Sequence, residues 1–426
     1  MNNYFFLSYQ KNKLTTKSKM NFNEYVRKFF EFSLFLVVAT MPFHLLANSV
    51  AIILLSFAWL LEGNFSLKIK LIMQRPLIVI FFIFFLLFLL GMLHTSNIEF
   101  GIFNLQKKIS LFVFPLIIGT SISFNEKIKE TALFVFVVSC FAASLLCCVN
   151  GLFYFISFKD SLYLLHEKLS SVINFHPPYF AMYLSFSIFI IFECIRRDKF
   201  ILNHIQKKIL VVIAFFFFCF IILLSARTAL VFLFLIFMTR EMYFLYKKRK
   251  LMIGIIGLLS MLGVTIFLIS QSAYLKDRFV KPLSSDISAI DGGKETGLSI
   301  RLVKWKCSME GIAENPLVGT GTGDAVDYLV KCYEKKKFWG MYPQYRFNSH
   351  NQYLETTLTL GVPGLICFLL CIMVPFLSAW RKSKYLLLSF ITLFCFCSLT
   401  ESLLERQQGI VFFTFFISLF SFCKEK

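Results

Sequence analysis

The chain has 426 residues, 58% of them hydrophobic, with 56 phenylalanines and a formal net charge of +20. A soluble domain can bury many apolar residues, yet it does not string them into uncharged runs of membrane length such as PLIVIFFIFFLLFLLGML from Pro76. A soluble globular protein is therefore excluded. The lysines and arginines sit in short clusters between apolar runs, so the charge reads as membrane topology rather than nucleic-acid binding.

In chain order, residues 1–28 form a basic, cytoplasmic N-terminus carrying Lys11, Lys13, Lys17, Lys19, Arg27 and Lys28. The first apolar run follows without an A-x-A-like cleavage site, so no cleaved signal peptide is expected; Met20 is an alternative start to Met1. The fold class expected is an all-α polytopic membrane protein with about 12 transmembrane helices. Spans are predicted near 29–46, 49–61, 76–93, 108–121, 131–156, 177–195, 208–225, 228–245 and 251–270, and then 350–378, 385–399 and 409–423. Residues 29–270 thus hold helices 1–9, 271–349 one large, partly helical periplasmic loop, 350–423 helices 10–12, and 424–426 a cytoplasmic C-terminus.

With the N-terminus inside, the connections on that side hold 19 lysines and arginines, among them Lys68, Lys70, Arg75, Arg196 to Lys208, Lys247 to Lys250, Arg381, Lys382 and Lys384. The short outer connections hold 6: Lys107, Lys108, Lys159, Lys168, Arg227 and Arg406. Both termini are expected to be cytoplasmic. A connection as long as 271–349 tends to be functional. Of the 12 cysteines, Cys307 and Cys332 lie in it, either bridged in an oxidising compartment or as two free thiols. Cys395 and Cys397 have no histidine or carboxylate beside them in sequence, so no metal site is expected there.

The outer face gathers the groups able to do chemistry. Arg227, in SARTA, occupies a turn of almost no length between two apolar spans, either snorkelling to head groups or aimed at a phosphate. Arg301 lies in an amphipathic segment whose apolar positions Leu298, Leu302, Trp305 and Met309 follow helical spacing. NPLVGTGTGDA, from Asn315, lacks a terminal G-K-[ST] and reads as a glycine-rich turn that shapes the loop. Ser349 with Gln352 suggests a capping box, which starts a helix at His350. Such a position disfavours the charged imidazole and suits a base. Gly361 and Gly364 lie deeper on this helix as a helix-packing motif, with Pro363 freeing the Thr359 carbonyl. His176, Glu401, Glu405 and Arg406 fall on the same side, and Glu401 with Glu405 could form a carboxylate pair.

His350-Asn351 followed by Gly361-x-x-Gly364 resembles the signature of the bacterial O-antigen ligase family, which is similar in turn to O-antigen polymerases and protein O-oligosaccharyltransferases. SARTA, the Arg301 to Trp305 segment, the glycine turn at 319–323 and the layout of spans around one loop share the resemblance, which is strongest over 205–380. It implies a glycosyltransferase-type ligase in the bacterial inner membrane. The enzyme would move a glycan from undecaprenyl pyrophosphate to a lipid A-core sugar hydroxyl on the periplasmic face. His350 would be the catalytic base, and Arg227 and Arg301 would bind the donor pyrophosphate. Asn351, His176, Glu401, Glu405 and Arg406 would be possible substrate contacts. No cofactor, metal or nucleic acid is implied; the partners are the lipid-linked donor, a glycan or protein acceptor, and membrane lipids. The polymerase and the protein ligase are alternatives that share the donor chemistry. A lipid-linked glycan transporter fits less well, because charged residues fall near span ends rather than at mid-membrane.

Overall fold

A computed structural model of the chain describes residues 23–196, 204–279, 297–336 and 346–423. The basic stretch from Lys11 to Lys19, the choice between Met1 and Met20, and residues 424–426 lie outside the described residues. Among the described residues every regular element is a helix. They are α1 (23–40), α2 (Leu45–Leu61), α3 (Phe65–Gln74), α4 (Pro76–Gly91), α5 (Ile98–Lys108), α6 (Ser110–Thr120) and α7 (Glu126–Phe158). Then come α8 (His166–Leu169), α9 (Pro177–Arg196), α10 (His204–Leu223), α11 (Arg227–Ile236), α12 (Met242–Lys247), α13 (Leu251–Ser270) and α14 (Ala273–Phe279). The last five are α15 (Gly297–Glu314), α16 (Ala325–Lys335), α17 (Gln352–Arg381), α18 (Tyr385–Ser398) and α19 (Gln407–Ser421).

Among the described residues, 8 helices are long and apolar enough to cross a membrane, or 9 if the bent pair α2–α3 is one span. α18 and α19 are shorter apolar helices. The chain is thus a multi-pass membrane protein. Two of the expected spans are built differently. The one near 108–121 is the end of a 23-residue helical stretch, Ile98–Thr120, and the one near 228–245 is interrupted by a π-helical turn at Phe237–Glu241.

Local sequence sets the ends. Pro76 opens α4, where its missing N–H costs nothing. Asn97 and Asn125 cap α5 and α7 by accepting the Phe100 and Ile128 amides. In the interior the phenylalanines interlock. Phe416 of α19 lies 4.9 Å from Phe136 of α7 and 4.8 Å from Phe186 of α9, centroid to centroid, while Tyr183 stacks on Phe412 at 4.5 Å. Lipid tails are as apolar as these rings, so shape-matched packing holds the helices together, at about 0.5–1.5 kcal/mol per aromatic pair.

Helix α17 is broken at Gly361, which has φ 67° and ψ −169°. Such a conformation is essentially open only to glycine. At the break the chain segment 316–321 docks against the helix. Thr320 and Gly321 donate their amides to the Leu358 and Thr359 carbonyls at 2.7 and 3.1 Å, and Val362 donates to the Pro316 carbonyl at 2.8 Å. The Thr359 carbonyl that Pro363 leaves free is thereby satisfied. The same glycine-rich segment is tied to the first half of the chain. Thr322 donates its hydroxyl to the Phe88 carbonyl at 2.6 Å, and Asp324 accepts the Ser96 and Asn97 amides at 2.7 and 2.8 Å.

The segment from Gly297 is helical as expected, but its buried face differs from the one expected. Leu302 and Met309 are exposed, whereas Lys304, Cys307 and Ser308 are buried. The reason is covalent and local. Cys307 is disulfide-bonded to Cys332 of α16, with Cα atoms 5.9 Å apart. The bridge turns that side of α15 onto a small core of Ala325, Leu329, Tyr333 and Leu358. Across a sequence separation of 25, serine at Cys307 is expected to cost about 3 kcal/mol. A lowered unfolding midpoint, with no further fall on adding reductant, checks this; an unchanged midpoint contradicts it.

Candidate functional site

A cavity of about 230 Å³ opens where the N-terminal ends of α9, α11 and α15 meet α14, α8 and the turn after α18. Its walls carry Arg227, Arg278, Arg301, His166, His176, Glu167 and Glu401. Arg227 is the first residue of α11, behind a turn in which Ser225 takes a left-handed φ of 56°. The Thr228 and Thr400 hydroxyls meet at 3.0 Å, which ties this turn to the segment bearing Glu401.

Glu401 organises the centre. One of its oxygens lies 3.8 Å from Arg301 Nη2, and the other lies 3.3 Å from His350 Nδ1. Burial alone would raise its carboxyl. The hydrogen bond and charge of His350, with His176 and Arg301, outweigh that and hold it below the usual carboxylate range. His350 joins the site through this carboxylate.

The turn that presents His350 is set by hydrogen bonds, and it differs from the capping box expected at Ser349. The cap is Asn351, whose side chain accepts the Tyr353 and Leu354 amides at 3.0 and 3.1 Å, so α17 starts at Gln352. Ser349 instead donates its amide to Glu355 Oε2 at 2.7 Å and accepts the Ser308 hydroxyl at 2.8 Å. His350 therefore stands one residue outside the cap, in a left-handed conformation with φ 46°. Asn348 Oδ1 accepts its amide at 3.1 Å, and Asn351 donates its own amide to Ser402 Oγ at 3.3 Å. A strained residue clamped from both sides is a common mark of functional geometry.

His176 lies in the cavity wall with Nε2 3.9 Å from Glu167, while its buried Nδ1 has no hydrogen-bond partner among the described residues. Burial drives its pKa down to about 4, with Arg406 and His350 pushing the same way against Glu401 and Glu167. A histidine depressed from 6.5 to about 4 stays neutral in the fold while the unfolded chain takes up a proton. Its share of stability is thus whole above pH 6.5 and is lost as the pH falls toward 4, the same direction as for Glu401 below 4.5. The unfolding midpoint is expected to drop over that interval, and His176→Gln to flatten the drop; an equally steep fall in the variant contradicts this.

The other candidates are dispersed. Glu405 does not pair with Glu401: it lies 2.5 Å from Lys108 Nζ, whose ammonium also donates to the Leu404 carbonyl. Arg406 is exposed at the cap of α19, with its guanidinium 5.9 Å from the Tyr179 ring. Asn351 is taken up by capping. Gly361 and Gly364 sit at and just beyond the helix break, and a Cβ on Gly364 would lie 2.3 Å from that of Leu360. The sequence reading missed Arg278 and His166. Arg278 lies in the first turns after an apolar span, beside Lys276 and Asp277, where an arginine is indistinguishable from a boundary charge.

A family model described as O-antigen ligase matches residues 212–369. The match bears out the resemblance to the O-antigen ligase family and contains Arg227, Arg278, Arg301, His350 and Gly361; His166, His176 and Glu401 lie outside it. A protein of Haemophilus influenzae described as uncharacterized is 28% identical over 137 residues, 31% of this chain and 34% of that protein. The chain thus spans about a third of that relative's length.

Proposed function

We propose that the chain is a metal-independent glycan ligase. In this reading it transfers a glycan from undecaprenyl pyrophosphate to a sugar hydroxyl of lipid A core, at the periplasmic face of the bacterial inner membrane. The observation that carries the reading is the convergence of Arg227, Arg301 and the His350–Glu401 contact on one cavity at one end of the helices. The family match supports the reaction class. The excess of basic residues on one set of connections supports both termini being cytoplasmic, and the Cys307–Cys332 bridge agrees with a loop 271–349 on an oxidising side.

In the reaction the acceptor hydroxyl oxygen attacks the anomeric carbon of the donor sugar. The bond from that carbon to the diphosphate oxygen breaks, and its electron pair leaves with the lipid diphosphate. Arg227 and Arg301 neutralise the charge that grows on the leaving group, through donors fixed in advance. Glu401, accepting from Nδ1–H of His350, leaves Nε2 with the lone pair that takes the acceptor proton. Arg301 is shared between Glu401 and the diphosphate, so donor binding draws on a guanidinium already held in place.

Reconstitution with lipid-linked glycan and candidate acceptors tests the reading. Transfer to lipid A core is expected, with Arg227→Ala and Arg301→Ala each abolishing it while the protein still inserts. Chain growth of the donor glycan identifies a polymerase instead, and transfer to a polypeptide a protein ligase. Movement of the donor across the bilayer without transfer identifies a transporter.

A further inference from the structure

We propose that Arg278 is a third donor-binding residue of the cavity, a guanidinium that His166 holds in position for a phosphate oxygen of the prenyl diphosphate; this rests on the ligase reading above. Arg278 lies on α14, directly after the span α13, and lines the same cavity as Arg227 and Arg301. Its Nη2 donates to His166 Nε2, and its guanidinium carbon lies 5.9 Å from the Tyr274 ring. Because Nε2 accepts, the His166 proton sits on Nδ1, which donates to the Leu224 carbonyl at 3.0 Å. His166 is thus a neutral strut between the turn that carries Arg227 and the guanidinium of Arg278.

Among the described residues Arg278 has no ion-pair partner, and its buried Nε has no hydrogen-bond partner. Two other half-buried arginines are matched by acids: Arg196 lies 2.7 Å from Glu241, and Arg240 lies 2.6 Å from Glu193. A half-buried guanidinium with its inner Nε unpaired, set opposite a neutral histidine, is costly unless an anion completes it. The cavity is where that anion enters. A planar fork suits phosphate oxygens, and a diphosphate offers enough of them to engage more than two arginines.

The test is binding of farnesyl diphosphate, with farnesol as control, to the purified full-length protein in detergent, read by calorimetry beside the unfolding midpoint. The wild type is expected to bind the diphosphate and not the alcohol. Arg278→Gln is expected to weaken it about tenfold or more, with the midpoint unchanged or raised because a half-buried, unmatched charge is removed. His166→Ala is expected to weaken binding too, and His166→Gln to restore it, since one amide can accept from Arg278 and donate to Leu224. Wild-type affinity in Arg278→Gln overturns the inference and leaves the ligase reading standing. Failure of the wild type to prefer the diphosphate overturns the ligase reading itself.

Discussion

Replacing His350 with alanine lowers glycan transfer by about 10²–10⁴-fold, the range that one positioned acid–base group supplies. Binding of a prenyl diphosphate is expected to survive, because the guanidiniums of Arg227 and Arg301 remain. Glu401→Gln gives the diagnostic companion result. An amide in place of the carboxylate no longer fixes the Nδ1–H tautomer 3.3 Å away, so turnover falls. It also frees Arg301 from a carboxylate 3.8 Å distant, so affinity for the diphosphate holds or rises. Turnover lost without affinity lost separates a base and its orienting group from residues that merely bind. Wild-type turnover in His350→Ala would remove the histidine from the chemistry altogether.

Gly361→Ala is expected to destabilise the protein by about 2–5 kcal/mol, combining a left-handed backbone penalty of about 1–2 kcal/mol with an overpacking cost of about 1–3 kcal/mol. The new Cβ would lie 2.5 Å from the Leu317 carbonyl carbon and oxygen, which are main-chain atoms with no rotamer to yield. Relief requires the docked segment 316–321 to lift from α17. Its hydrogen bonds to Leu358 and Thr359 then fail together. The fall in unfolding midpoint, together with new protease cleavage near Leu317, measures this. Gly319→Ala should behave alike, since its Cβ would lie 2.5 Å from the Thr359 carbonyl group. Normal midpoints in both variants would show that the segment can dock elsewhere.

These two sites also mark how far the chain could be read without its fold. Uncharged apolar runs and clustered lysines marked the class of protein and most of its helices, and short motifs around Arg227, Arg301 and His350 carried the family resemblance. Each of those signals is local, because bilayer thickness fixes span length and a charge at a span end is visible in the sequence. The helix cap was misplaced by two residues, since Ser349 and Asn351 are both good capping residues. The choice fell to Glu355 and Ser308, which engage Ser349 and leave Asn351 to cap. Gly361 had the look of a packing face; only the docked glycine turn, some forty residues earlier, reveals it as a break in the helix. Glu401 and Glu405 stand four apart and suggested a pair. Tertiary structure sends one to His350 and Arg301 and the other to Lys108. Arg278 and His166 are 112 positions apart, and no period or motif links them. Only helix packing brings them to the turn that carries Arg227, because a charge finds its partner by distance in space.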